Sequence, residues 1–315
     1  MALSDWAPEI ISLEDDEDTV NLCVYGYPGS GKTVLAGSDD RVLFLAPEDD
    51  GTLSAKRQGS TANKWPIRNL ADFEEAIDRI EENIDEVRES FDWLAIDSAT
   101  HMQRLLMRQI LEDAVEENPE RDIDTPALQD WNKYYNKFQR LVQLTNALEI
   151  NTIWTATVKS ETDEEGDDFV LPDIQGRGYQ EALTFASQMT SYGYLKAEDK
   201  IVKRDGEIVK DADGEPLKKT VRTITWRDTG KIRGKDRTNA LAPVTKDLTL
   251  KQIRQLITGE KTREDFRKKP ARKTTPAKKT ARKVAKTPLG ELDGDPSADD
   301  GLTPATPADV NPDEN

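Results

Sequence analysis

The sequence predicts an α/β fold, a central and mainly parallel β-sheet flanked by helices, and three observations lead there. Short apolar runs of strand length alternate with longer stretches whose apolar residues recur every three or four positions, the pattern of strand-helix-strand units. The first apolar run ends in a glycine-rich turn that opens a helical stretch. A charged span from Lys200 to Trp226 carries turn signals at Asp205-Gly206 and Asp213-Gly214, which predict an antiparallel hairpin added to the sheet.

Taken in order, Val20 to Tyr25 (VNLCVY) is β-rich and forms the first strand, with Cys23 inside it as a core residue. A short helix (KTVLAG) follows the glycines, and Arg41 to Ala46 (RVLFLA) is the next strand. From Leu70 to Val87 the residues Phe73, Ile77, Ile80, Ile84 and Val87 draw one apolar face, so a single helix is expected there. Trp93 to Ile96 reads as a buried strand. Trp131 to Leu148 is again amphipathic, with Tyr134, Tyr135, Phe138, Leu141 and Val142 on one side, and it feeds a strand over Ile150 to Val158. Leu248 to Ile257 gives a last short helix, and the folded domain is expected to end near Gly259.

Charge divides the 315 residues further. The chain is 33% charged and 36% hydrophobic with a formal net charge of −17, but the charge is segregated. Residues 1–18 hold seven acids and no base, too little apolar surface to order a segment, and are read as a flexible arm. Residues 19–259 form the expected folded domain. Residues 260–287 are a basic linker of low complexity, with twelve Lys or Arg against two acids from Lys261 to Lys286, and residues 288–315 are an acidic disordered tail. A Lys-rich, Pro-broken segment suits a polyanion, because neutralising phosphates releases counterions. No apolar run approaches the roughly 20 residues a spanning helix needs. The acidic N-terminus is unlike the basic start of a signal peptide, so no membrane contact and a cytoplasmic location are expected. With one cysteine and one histidine, Cys23 and His101, an internal disulfide, a structural zinc site of Cys and His, and a His-based triad are not expected.

The strongest chemical signal is Gly26-Tyr27-Pro28-Gly29-Ser30-Gly31-Lys32-Thr33, which fits GxxxxGK[ST] in full. Such a loop wraps phosphates with backbone N–H groups, which requires glycine where the chain turns sharply, and it must lie between a strand and a helix as it does here. Lys32 is expected to reach the β and γ phosphates of ATP, and Thr33 to offer its hydroxyl to Mg²⁺. The same metal needs a carboxylate at the tip of a buried strand, and Asp97 after Trp93–Ile96 supplies it. Ser98 follows, so the carboxylate that orients the attacking water must come from elsewhere. Glu48, just past RVLFLA, is the candidate base, with Asp49 and Asp50 as competitors. His101 is read as a helix-start residue that could also face a ligand.

A phosphate loop after the first strand, a glutamate after the second, Asp-Ser after the strand Trp93–Ile96 and KIRGKDRTN late in the chain together resemble RecA-like ATPases with AAA-type nucleotide binding. Within these, the chain is most similar to the single-strand annealing ATPases that bacteriophages use in DNA recombination. The resemblance covers about Thr19 to Gly259 and implies a P-loop NTPase with a RecA-like core. It implies that a late Lys-x-Arg pair, here Lys235 and Arg237 with Lys231 and Arg233 as competitors, reaches the nucleotide of a neighbouring subunit. It places a polar sensor at Thr155 or Thr157 in IWTATVK, where relatives often carry His or Gln. In FVLPDIQGRGY it suggests single-stranded DNA contact through Arg177 and stacking by Tyr179. A homo-oligomeric ring or filament and a single-strand-binding protein are the implied protein partners. Two rivals stand beside this: a P-loop kinase acting on a small molecule, and a DNA-binding module that nucleotide locks without turnover.

Overall fold

A computed structural model describes residues 19–47, 51–176, 178–204 and 206–266. The acidic arm, Glu48 with Asp49 and Asp50, Arg177, the linker from residue 267 onward and the acidic tail lie outside the described residues. Strand β1 (Asn21–Tyr25) runs into the glycine-rich turn and a five-residue helix α1 (Lys32–Ala36). Then come β2 (Val42–Ala46), α2 (Leu53–Arg57), β3 (Asn63–Pro66), α3 (Leu70–Glu82), α4 (Ile84–Ser90) and β4 (Trp93–Ile96). The long helices α5 (Ala99–Glu117) and α6 (Leu128–Ala147) precede β5 (Asn151–Ala156). A hairpin of β6 (Val158–Thr162) and β7 (Asp168–Pro172) leads to α7 (Gln180–Ser187) and the long strand β8 (Ser191–Ile201). Last are the small hairpin β9 (Lys203–Arg204) and β10 (Glu207–Ile208), then β11 (Lys218–Thr225), β12 (Lys235–Asp236), β13 (Val244–Lys246) and α8 (Leu250–Ile257).

The main sheet has the order β3-β2-β4-β5-β1-β8-β11-β13. Every pair from β3 to β8 is parallel, and the edge formed by β11 and β13 is antiparallel. β5 is inserted between β1, which leads into the glycine-rich turn, and β4, which leads into Asp97. Successive residues of each central strand point to opposite faces. Cys23, Tyr25, Leu45, Ile96 and Trp154 pack in the core that α3, α5, α6 and α7 cover, whereas Leu22, Val24, Phe44, Ala95 and Ile153 pack with residues of α1 and α8. Both faces are buried, which is why these strands read as unbroken apolar runs.

The expected mixed α/β fold is therefore present, with two local differences. The apolar face from Leu70 to Val87 continues across a break at Asn83, where the single expected helix becomes α3 and α4. The Asn83 side-chain amide donates to the Arg79 carbonyl at 2.8 Å, replacing a backbone bond and letting the chain turn, while Ile84 and Val87 still pack on the same core. The strand expected to run to Val158 leaves the sheet after Ala156, because the Thr157 N–H donates to the Thr100 hydroxyl (3.1 Å) and Val158 starts the pairing with β7. The hairpin from Lys200 to Trp226 is found as the outer half of β8 with β11, and the turns at Gly206 and Gly214 both have positive φ.

Candidate functional site

The turn after β1 is shaped by its glycines. A Cβ on Gly26 would stand 2.4 Å from the Leu195 carbonyl oxygen on β8, so no larger residue fits. Gly29 and Gly31 have φ of 80° and 94°, a region that L side chains rarely adopt, and this turns successive N–H groups toward the concave side of the loop. The Lys32 ammonium curls over the loop and donates to the carbonyls of Gly26 (2.9 Å) and Tyr27 (3.2 Å). Tyr27 and Pro28 are exposed on the rim, while the Ser30 hydroxyl is buried and has no hydrogen-bond partner among the described residues.

The sheet brings Asp97 to this loop. Ile96 on β4 is level with Trp154 on β5, and Thr155 on β5 is level with Val24 on β1, so all three strands deliver their ends to one edge. The Thr33 hydroxyl donates to Asp97 Oδ2 at 2.6 Å, and the fully buried Thr155 hydroxyl donates to Asp97 Oδ1. Asp97 is thus clasped from the phosphate loop on one side and from the inserted strand on the other. Thr157 does different work. Its hydroxyl donates to Asp173 Oδ2 (2.9 Å), and the Asp173 carbonyl accepts from the buried Gln103 amide (2.9 Å). Of the two candidate sensors, Thr155 touches Asp97 directly and Thr157 ties the same strand end to the segment leading to Gly176.

Ser98 and His101 form the start of α5, where the Ser98 hydroxyl accepts the His101 N–H (3.3 Å). Since Leu45 is level with Ile96, β2 ends beside Asp97; Glu48 itself lies outside the described residues. Tyr179 caps α7 and packs edge-on against Phe169 with ring centroids 5.3 Å apart; on Phe169 also rests the Arg233 guanidinium, 4.3 Å from the ring centre. The ring of Tyr179 is accordingly a half-buried packing residue rather than a free platform.

The four cations of KIRGKDR separate by their surroundings. Arg233 is committed within the chain, to Phe169 and to Asp228 (3.1 Å), and the Tyr25 hydroxyl donates to its carbonyl (2.5 Å). Lys231 is exposed and its carbonyl accepts the Val170 N–H. Arg237 is exposed and donates to the Ser187 carbonyl at the C-terminus of α7. Lys235 is half-buried on β12, and the ammonium is held below its usual pKa by desolvation and by the Arg237 charge beside it. β12 pairs with Ser191 and Tyr192, which lie about three residues, or roughly 10 Å, back from the end where β1 delivers the phosphate loop.

Sequence reasoning missed Arg222 on β11 and Arg57 on α2. Both line the cavity of about 550 Å³ over the loop, together with Gly29, Gly31, Lys32 and Thr33. The alternation Arg222, Ile224, Trp226 was a usable signal, because it puts Arg222 on the same face of the sheet as two core residues packed beside α1. Arg57 carried no comparable signal.

A glycine-rich loop with its lysine, a threonine hydroxyl and a strand-tip carboxylate on one edge of a parallel sheet define a P-loop nucleotide-binding protein. Residues 18–238, more than two thirds of the chain, match the model of a family described as an AAA domain, and the chain belongs to that family, the AAA-type P-loop NTPases. No curated protein matches it. Membership in the family carries nucleotide binding and ATPase activity in general, usually with Mg²⁺. The residues present suit both groups: the glycine loop, Lys32 and the orphaned Ser30 hydroxyl suit phosphate oxygens, and the facing oxygens of Thr33 and Asp97 are the hard donors Mg²⁺ takes. Among the described residues no helix is long and apolar enough to cross a membrane.

Proposed function

We propose that this chain is a Mg²⁺-dependent, RecA-like ATPase that acts on single-stranded DNA in annealing or recombination of the phage type, and that it works as a homo-oligomer in the host cytoplasm. The observation that carries the catalytic half is the Thr33–Asp97–Thr155 cluster beside the phosphate loop. The loop N–H groups and Lys32 hold the triphosphate, and Lys32 exchanges its contacts with the Gly26 and Tyr27 carbonyls for phosphate oxygens. Thr33 and Asp97 would hold Mg²⁺, which would supply neutralisation of the phosphate charge when bound. Thr155 keeps the Asp97 carboxylate turned toward Thr33. Glu48 orients the attacking water, and Lys235 and Arg237 complete the site of a neighbouring subunit.

The DNA half is supported by the path from Thr157 to Asp173, which links the strand end beside Asp97 to the segment that precedes Arg177, the proposed phosphate contact. The basic linker adds an unspecific grip on the phosphate backbone. ATP hydrolysis by the purified chain, with and without single-stranded DNA and across protein concentrations, tests the proposal. A DNA-stimulated rate that rises more than linearly with protein and is abolished by Lys32→Ala is expected. A rate indifferent to DNA and linear in protein rejects the DNA and assembly claims and points to a small-molecule kinase.

A further inference from the structure

Arg222 stands over the phosphate loop with no ion-pair partner among the described residues. A Cβ built on Gly31 would lie 2.4 Å from Arg222 Nε, 3.1 Å from Cδ and 3.3 Å from Cζ, so the guanidinium packs against this glycine in the space a side chain would fill. Its Nε–H is buried and has no acceptor among the described residues. The nearby carboxylate of Asp247 is occupied elsewhere: Oδ1 accepts the backbone N–H of Arg222 (2.9 Å) and Oδ2 faces Lys219 (3.7 Å). The side chain is half-buried, but a buried N–H without an acceptor is costly to keep, and one carried by a cation is prepared for an anion.

The position says which part of the anion. Asp97 and Thr155 approach the loop from the β4 and β5 side of β1, whereas Arg222 approaches from the β8 and β11 side. The metal side takes the β and γ phosphates, which leaves Arg222 on the nucleoside side. Arg222 is also the wall between the cavity over the loop and a second cavity of about 160 Å³, lined by Val34, Leu35, Ile224, Thr245 and Leu248. A cavity of roughly 150 Å³ has the volume of a six-membered aromatic ring, and Ser38, Asp247 and Thr249 add polar edges to this one, so it has the scale and the mixed lining of a planar heterocycle's site.

We infer that Arg222 is a nucleotide-binding residue supplied within the same chain. It donates to the phosphates nearest the nucleoside of a nucleoside di- or triphosphate whose base lies toward the second cavity. This rests on the nucleotide reading of the loop and adds to it a residue from outside the loop motif. The contact does not involve the γ phosphate, so ATP and ADP lose it alike.

The test is equilibrium binding of ATP and of ADP to the full chain, wild type against Lys32→Ala, Arg222→Ala and Arg222→Lys, with a melting curve of each variant without nucleotide. Arg222→Ala is expected to weaken both nucleotides by the same factor, about tenfold to a hundredfold, as for one charge-assisted contact. Arg222→Lys keeps the charge without the planar fork and loses less. Removing a half-buried cation whose Nε–H has no acceptor leaves the melting temperature without nucleotide unchanged or raised. If Lys32→Ala abolishes binding while Arg222→Ala binds both as wild type does, the inference is wrong and the loop reading stands. Loss for ATP alone would place Arg222 at the γ phosphate and overturn it as well. Absence of binding by the wild type would remove the loop reading itself.

Discussion

At the scale of single residues the site turns on how Asp97 is held. Its two oxygens accept hydrogen bonds from the hydroxyls of Thr33 and Thr155, and Thr155 is fully buried. Thr155→Val keeps the shape and removes the donor, so Asp97 Oδ1 is left in a buried place without its hydrogen-bond donor. The expected loss is about 1–3 kcal/mol of folding stability, the usual cost of orphaning a buried polar atom. The Mg²⁺ concentration needed for half-maximal nucleotide binding should rise several-fold, because the carboxylate is free to turn from Thr33. Thr155→Ser should restore both. Urea unfolding and a Mg²⁺ titration read the two effects, and a variant that lost stability with unaltered Mg²⁺ dependence would make Thr155 a packing residue only.

Much of this residue-level site was legible in the sequence, since a contiguous motif states its own geometry: eight consecutive residues from Gly26 to Thr33 specify the loop, and a strand ending in Asp specifies its neighbour. The contacts from outside the motif were not. Arg222 reaches Gly31 across a distance of about 190 residues in sequence, through a strand pairing that only the fold reveals. Thr155 and Thr157 could not be told apart either, because their difference lies in where β5 ends, one residue between them.

At the scale of elements, α6 shows how a helix behind the site is anchored. The Asp130 side chain in its first turn is wholly buried, accepts the Ala127 N–H at 2.7 Å and pairs with Arg121. The helix then lays Tyr134 and Phe138 against α7 and β5, with Phe138 and Trp154 both packed on Phe185. The buried Tyr134 hydroxyl donates to Gln103 (2.6 Å), whose amide in turn holds the Asp173 carbonyl. Replacing Arg121 by Ala strands a buried carboxylate, and a cost of about 3 kcal/mol is expected in urea unfolding. A loss below about 0.5 kcal/mol, the size of a surface ion pair, would mean that water reaches Asp130. The aromatic face of this helix was plain from its periodicity, whereas its anchor was not: Asp130 and Arg121 look like surface charges until the loop between α5 and α6 brings them together. β8 was likewise hidden, because its first half is a parallel core strand and its second half one arm of a charged hairpin.

At the scale of the whole molecule, the question is whether one chain is a complete catalyst. Lys235 is half-buried, its ammonium pKa is lowered, and among the described residues it has no carboxylate partner. The adjacent Asp236 is spent on the turn that follows, accepting from Ser191 (2.8 Å), from Thr238 (2.7 Å) and from the Leu241 N–H (2.8 Å). The loop is therefore stiff and presents a cation without its anion, on β12 and set back from the strand ends that form the chain's own phosphate loop. The proposed role of Lys235 at the nucleotide of a neighbouring subunit calls for such a cation. Two separately inactive variants test this when mixed, Lys32→Ala with a disabled loop and Lys235→Ala with a disabled finger. Lys235 is the better choice over Arg237, whose loss would also uncap α7. In a one-to-one mixture about a quarter of head-to-tail interfaces pair an intact loop with an intact Lys235, so ATPase activity near that fraction of wild type should appear on mixing. Activity no greater than the sum of the two variants alone would mean that no residue disabled by Lys235→Ala crosses a subunit boundary, and that the site is complete within one chain.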